Sequence, residues 1–163
     1  MPQLKWKPPP KNVFKVNVDA AINSKSQVAG LGAVIRDSEN KIVAVGIKQI
    51  SMKEHVSYAE AEAIEWGLKL ARRAALSTLI IESGCLEVVE LVNNTKSNKT
   101  GLWWIIEEIQ NQKKEKGKRK SSKHIIVCSK KESQITDTES RSRVQKTNSD
   151  DGVPLRPPPP SRS

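Results

Sequence analysis

The sequence predicts an α/β fold: a mixed five-stranded sheet, three antiparallel strands followed by parallel ones, flanked by helices. Three observations predict it. Residues 14–47 carry three strand patterns separated by short turns, the mark of an antiparallel meander. Residues 57–76 are rich in Ala, Glu and Leu and form the strongest helix pattern of the chain. Residues 78–82 are a short, continuously apolar run, as expected of a parallel strand covered on both faces.

The elements follow in order. Trp6, Pro8 and Pro9 belong to an extended, Pro-rich lead-in over residues 1–9. In strand one, residues 14–21, Phe14, Val16, Val18 and Ala20 alternate with Lys15, Asn17, Asp19 and Ala21, so one face is buried and Asp19 lies on the polar face. Asp is a poor strand residue. Two readings account for it here: Asp19 opens a turn, or it is a metal ligand held on a rigid element. Gly30-x-Gly32 opens strand two, residues 31–36, rather than a helix, and it lacks a third glycine, which argues against a nucleotide-binding loop. Residues 37–40 form a hairpin turn with Asn40 in the left-handed position, and residues 42–47 return as strand three.

On the helix of residues 57–76, Ile64, Gly67, Leu68, Ala71 and Ala75 fall at helical spacing and define the packing face. One turn before Ile64 is Glu60, which therefore points toward the sheet. Glu62, Glu65, Lys69, Arg72 and Arg73 share the opposite, solvated face. A carboxylate aimed inward is costly unless it is paired or meets a cation; alternatively, the first-turn dipole favours its charge. Strand four ends at Ser83-Gly84, and helices are expected over 85–92 and 102–112. In the second of these, adjacent Trp103 and Trp104 read as core rather than as a base-stacking platform. Residues 123–128 supply strand five, giving β-β-β-α-β-α-α-β.

Charge divides the chain. Residues 1–112 hold 14 Lys and Arg against 12 Asp and Glu, whereas residues 113–163 hold 14 against 6, so the net charge of +10 belongs almost wholly to the last third. From Ser129 onward the large aliphatics are Ile135, Val144, Val153 and Leu155, too few to cover a core. The expected organisation is a lead-in over 1–9, one folded domain over 10–128, and a disordered basic, Pro-rich tail over 129–163. Cys85 and Cys128 form no zinc or disulfide framework. With no run of 18 apolar residues and no signal-peptide core, the chain is expected to be soluble and intracellular, in nucleus or cytoplasm, off the membrane and monomeric. The run of residues 113–120 is a candidate phosphate-binding or nuclear-localisation stretch. It precedes strand five, however, and so lies at the pole opposite the carboxyl ends of the parallel strands, where sites in open α/β sheets gather.

With Asp19, Glu60 and this element order in place, the sequence resembles the ribonuclease H superfamily. It is most similar to the type-1, reverse-transcriptase-like ribonuclease H domains of plant genomes. The matching text is Trp6-Lys-Pro-Pro, Lys15-Val-Asn-Val-Asp19, Gly30-Leu-Gly-Ala-Val-Ile-Arg-Asp37, Ala59-Glu60-Ala61 with Gly67-Leu68, and Ile81-Glu-Ser83 with Val88-Val89. The resemblance implies a ribonuclease H-like fold and a site of four carboxylates holding two Mg²⁺ ions about 4 Å apart, for endonucleolytic hydrolysis of RNA in RNA–DNA hybrids. Hard cations take oxygen ligands, hence Asp and Glu. Residue by residue, the first two acids fall on Asp19 and Glu60, which would be catalytic and metal-binding. The third falls on Gly84 and is lost. The fourth belongs to an Arg-x-x-Asn-x-x-Ala-Asp pattern, matched here by Lys130-x-x-Ser133-x-x-Thr136-Asp137, in which only Asp137 is retained. The residues after Asp137 lack the apolar stripe of the family's final helix, which is therefore expected to be missing. Glu82 is a candidate substitute for the lost acid, and an acid placed at Gly84 is expected to restore Mg²⁺-dependent cleavage. The implied partner is an RNA–DNA hybrid or RNA. The readings are a hydrolase of weak or lost activity, a catalytically dead nucleic-acid-binding module, or a truncated gene product.

Overall fold

The computed structural model describes residues 6–52, 55–94, 101–114 and 124–130. Its elements are β1 (Phe14–Asn23), β2 (Val28–Arg36), β3 (Ile42–Ser51), α1 (Val56–Arg73), β4 (Thr78–Ser83), α2 (Leu86–Asn93), α3 (Trp103–Lys114) and β5 (His124–Ser129), the expected order. They build one five-stranded sheet in the order β3-β2-β1-β4-β5. The pairs β1–β2 and β2–β3 are antiparallel, and β1–β4 and β4–β5 are parallel. The β2–β3 turn places Asn40 at φ 64°, the left-handed conformation its short polar side chain tolerates. Strands β1 and β3 run further than the sequence pattern suggested, because their ladders with β2 continue to Asn23 and Ser51.

Helix α1 lies on the face of the sheet lined by Val16, Val18, Ala33 and Ile35, all buried. Its approach depends on Gly67, where a Cβ would stand 2.7 Å from Val18 Cγ1 and 3.1 Å from Val16 Cγ1. A side chain there would push the helix off the sheet. Ile64, Leu68 and Ala71 complete the interface as expected, but Ala75 does not. The helix stops at Arg73, and Ala75 is exposed at φ 56° just beyond it.

Two further expectations are corrected. Glu62 and Glu65 are not solvated: they are 8% and 7% exposed. The tyrosine hydroxyl of Tyr58 donates to Glu62 at 2.7 Å, Lys48 of the lengthened β3 reaches Glu62 at 3.9 Å, and Lys69 pairs with Glu65 at 2.6 Å. These partners offset the cost of covering the two carboxylates. Trp103 and Trp104 are not core: they are 57% and 42% exposed. The buried stripe of α3 is already filled by Ile105, Ile106 and Ile109 with Leu102 before it, so the tryptophans fall on the outward face beside Glu107 and Glu108.

On the sheet face opposite α1, β1 and β4 hold a buried polar cluster. Lys15 Nζ lies 2.8 Å from Glu82 Oε1, each side chain 5% exposed. It also donates to the Lys7 carbonyl at 2.7 Å. Asn17 Nδ2 donates to Glu82 Oε2 at 2.6 Å, and Asn17 Oδ1 accepts from Trp6 Nε1 at 3.1 Å and Arg36 Nη1 at 3.3 Å. The Trp6 ring covers the cluster, with the Lys15 and Arg36 cations 5.4 and 5.3 Å from its centre. The lead-in thus contacts the sheet from Trp6 onward. Among the described residues, no helix is long and apolar enough to cross a membrane. The expectations for the final helix, for Asp137, for the tail and for most of the basic run, all but Lys113 and Lys114, lie outside the described residues.

Candidate active site

Register determines what stands beside Asp19. Asn17 of β1 and Glu82 of β4 are the last pair of their ladder, and that register, continued two residues past it, sets Asp19 opposite Gly84. Ser83 of β4 is paired with Ser129 of β5, so one residue on, Gly84 is level with Lys130. The Lys130 amide extends that ladder by donating to the Ser83 carbonyl at 3.1 Å. Asp19, Gly84 and Lys130 therefore form a row across the carboxyl ends of the three parallel strands, on the face that also carries Asn17 and Glu82. The Lys130 side chain leans over Gly84: its Nζ would be 3.7 Å, and its Cε 4.0 Å, from a Cβ built there.

Glu60 enters from the first turns of α1. Its Oε2 is buried and has no hydrogen-bond partner among the described residues. Its carboxyl is held above the usual range, chiefly by burial and then by the negative charge of Asp19, with the Lys130 ammonium acting in the opposite sense. Two carboxylates and one ammonium thus share a single local field. The charges of Asp19 and Lys130 both act on Glu60, in opposite senses. The signal for Lys130 was present in the sequence: it continues the outward phase of Ile126 and Cys128 one step past the end of strand five.

Glu82 does not take the place of the lost acid. Both of its oxygens are engaged by Lys15 and Asn17, and it is 4% exposed. Among the described residues, no three His, Cys, Asp or Glu side chains gather as a metal-holding group. Asp19 and Glu60 alone, with the orphaned Glu60 oxygen, suit at most one divalent cation. Among the described residues, two carboxylates are fewer anionic ligands than a two-ion centre takes. Elsewhere on the first turns of α1, Tyr58 packs against Trp104 with ring centres 5.8 Å apart. Burial and the neighbouring Glu62 push its hydroxyl up to about 12, so it stays a hydrogen-bond donor at neutral pH.

The sequence pattern of the reverse transcriptase-like family matches residues 17–138. No curated protein matches the chain. Among solved structures, ribonuclease H1 from a compost metagenome, solved in complex with an RNA/DNA hybrid, is 17% identical with a TM-score of 0.59, covering 83% of this chain and 99% of that one. Ribonuclease H1 of Halobacterium salinarum is 15% identical with a TM-score of 0.55, covering 72% and 84%. The N-terminal ribonuclease H domain of a Mycobacterium tuberculosis protein is 14% identical with a TM-score of 0.54, covering 83% and 98%. At these identities the likeness is one of fold.

Proposed function

Since this chain belongs to the reverse transcriptase-like family, within the ribonuclease H-like superfamily, we propose that it is a nucleic-acid-binding domain that engages RNA–DNA hybrid or RNA and whose Mg²⁺-dependent cleavage is weak or lost. One observation carries the second half of this reading. The row position that should bear the third carboxylate is Gly84, and the nearest side chain to it is the Lys130 ammonium. Asp19 and Glu60 are the residues that would meet a divalent cation, and in the family that cation activates water and stabilises the leaving oxygen. With two carboxylates the charge of a second ion is not balanced, so no hydrolytic step is assigned to this chain.

Binding has separate support. The net charge of +10 favours a polyanion. The outward Trp103 and Trp104, the second of them packed against Tyr58, which is two residues in sequence from Glu60, offer aromatic surface on which bases stack without sequence preference. The compost ribonuclease H1 was solved on an RNA/DNA hybrid. We assign the folded unit to residues 10–128, with Trp6 packed onto it.

The test measures retention of a labelled RNA–DNA hybrid by the full chain in chelator across a salt series, and single-turnover cleavage with Mg²⁺. Retention without divalent ions, falling steeply with salt, is expected, and cleavage is expected near background. Efficient Mg²⁺-dependent cleavage that disappears in Asp19→Asn would instead establish an active nuclease. That is the second reading, favoured by the proximity of Asp19 and Glu60, and in it Asp137 would supply the missing ligand.

A further inference from the structure

We infer that the outward stripe of α1, from Tyr58 with Trp104 at one end to Trp66 with Lys48 and Arg73 at the other, is a binding track for a single strand of nucleic acid. This rests on the proposed binding function, which it places away from Asp19 and Glu60, and it names an unpaired strand as the ligand. Tyr58, Glu62, Glu65, Lys69 and Arg73 follow one another at spacings of three or four residues, so they share one side of the helix. Glu60, two residues on from Tyr58, points to the other side, as does Gly67 against the sheet. From Tyr58 to Arg73 the helix rises about 22 Å. That is the length of roughly six nucleotides at the ~3.4 Å spacing of charges along one strand.

The two ends offer different chemistry. At the first, Trp104 is 42% exposed and packs against Tyr58, the two ring planes tilted by 48°. The open part of the indole suits an unpaired base, because a base inside a duplex has both faces covered by its neighbours. Glu107 and Glu108 stand beside it and disfavour a phosphate there, so the contact at this end is with a base. At the second end Trp66 packs against Gly46, its Cζ2 3.0 Å from a Cβ built there, and the Lys48 and Arg73 cations lie 5.9 and 5.8 Å from the ring centre. The ring holds both cations in place without neutralising them. Between the ends, Glu62 and Glu65 are covered, whereas the Lys48 and Lys69 side chains that reach them are 37% and 46% exposed, and Arg73 is exposed. The charge that α1 shows to solvent along this stripe is therefore positive, although residues 1–112 are nearly neutral as a whole. Aromatic surface at one end and cations along the rest is the combination that binds single strands without sequence preference.

The experiment is an anisotropy titration of a short labelled oligouridylate with the full chain, in chelator, across a salt series. The proteins are the wild type, Trp104→Ala, Trp104→Phe, and Lys48→Gln combined with Arg73→Gln; each keeps the basic residues 113–163, so their contribution is common to all. Trp104→Ala is expected to bind at least about fivefold more weakly at unchanged salt slope, the lower end of what losing one stacked base costs. Trp104→Phe, which keeps a ring, is expected to restore most of the affinity. The double charge variant is expected to lower the slope of log affinity against log salt by about 1.4, the share of two phosphate contacts on a single strand. If Trp104→Ala folds poorly, judged by its circular dichroism, the charge variant decides. Unchanged affinity in Trp104→Ala, or an unchanged slope in the charge variant, overturns the inference. So does an RNA–DNA hybrid of the same length that competes as well as the single strand at high salt. Hybrid retention by the same proteins keeps the two readings apart. If the wild type retains hybrid and every stripe variant binds as it does, the proposed function stands and the track on α1 falls. If the single strand binds through the stripe and the hybrid is not retained, the track stands and the hybrid reading falls.

Discussion

Glu82 lies in β4 and Gly84 just past its end, two residues apart, yet they carry opposite chemistry. Glu82 is closed in by Lys15, Asn17 and the Trp6 ring above them. Gly84 is open, and it is not among the residues with positive φ, so the backbone there accepts a side chain without strain. From sequence alone, Gly84→Asp is expected to rebuild a metal site. The structure changes that expectation, because the nearest group to the new carboxylate is the Lys130 ammonium. Gly84→Asp should therefore form an ion pair, adding about 0.2–1 kcal/mol as partly exposed pairs do. Thermal unfolding would register this as a small rise in midpoint. Mg²⁺-dependent cleavage of a hybrid should emerge only when Gly84→Asp is combined with Lys130→Met; cleavage by Gly84→Asp alone would show that Lys130 swings clear of the site. Asp19 and Glu60 were legible because the family pattern and the element phases coincide on them. For Lys130 only the strand phase was legible, since its neighbours depend on what stands two strands away.

Among the elements, α1 shows both what periodicity conveys and where it stops. Ile64, Gly67, Leu68 and Ala71 were readable because their partners are the sheet directly below. Glu62 and Glu65 were not: the pairs Tyr58–Glu62 and Glu65–Lys69 are one helical turn apart, but the cover from β3, with Lys48 reaching Glu62, is a contact that no helical wheel contains. The helix end was also hidden, since Ala74-Ala75-Leu76 continues the apolar spacing and no glycine interrupts it. The backbone nevertheless closes with the Leu76 amide on the Ala71 carbonyl and the Ala75 amide on the Arg72 carbonyl, both at 3.0 Å, with Ala75 at φ 56°. This is the left-handed helix stop that glycine normally fills. A Cβ there costs on the order of 1–2 kcal/mol, partly offset because glycine loosens the unfolded chain by about 0.4–1 kcal/mol. Ala75→Gly is expected to raise stability by roughly 0.5–1 kcal/mol on that balance, read as a higher urea midpoint at unchanged slope. A lower midpoint would mean that the Ala75 methyl makes contacts worth more than the strain.

For the whole molecule, the antiparallel meander and the parallel place of β4 were legible from turn lengths and the apolar run of residues 78–82, but the exposure of the sheet's second face was not. The Lys15–Glu82 cluster and Trp6 cover its middle, while the outward residues of β3 stand open: Val43, Val45 and Ile47 are 42%, 56% and 83% exposed. These residues alternate with Gly46, whose missing side chain makes room for Trp66 on the α1 side, so the phase of β3 is locked and the apolar residues cannot turn inward. Among the described residues the strand is also an edge of the sheet, with no ladder on its outer side. Long apolar edges invite pairing between copies. Ile47→Lys should therefore leave stability within about 0.5 kcal/mol, as exposed substitutions do, while raising the concentration at which light scattering sets in. The measurement has a clear opposite result. If Ile47→Lys destabilises by roughly 1.5–3 kcal/mol, the cost of uncovering a buried isoleucine, then the face is covered in solution. In that case residues beyond Lys130, or a second copy, would be the first place to look for the cover.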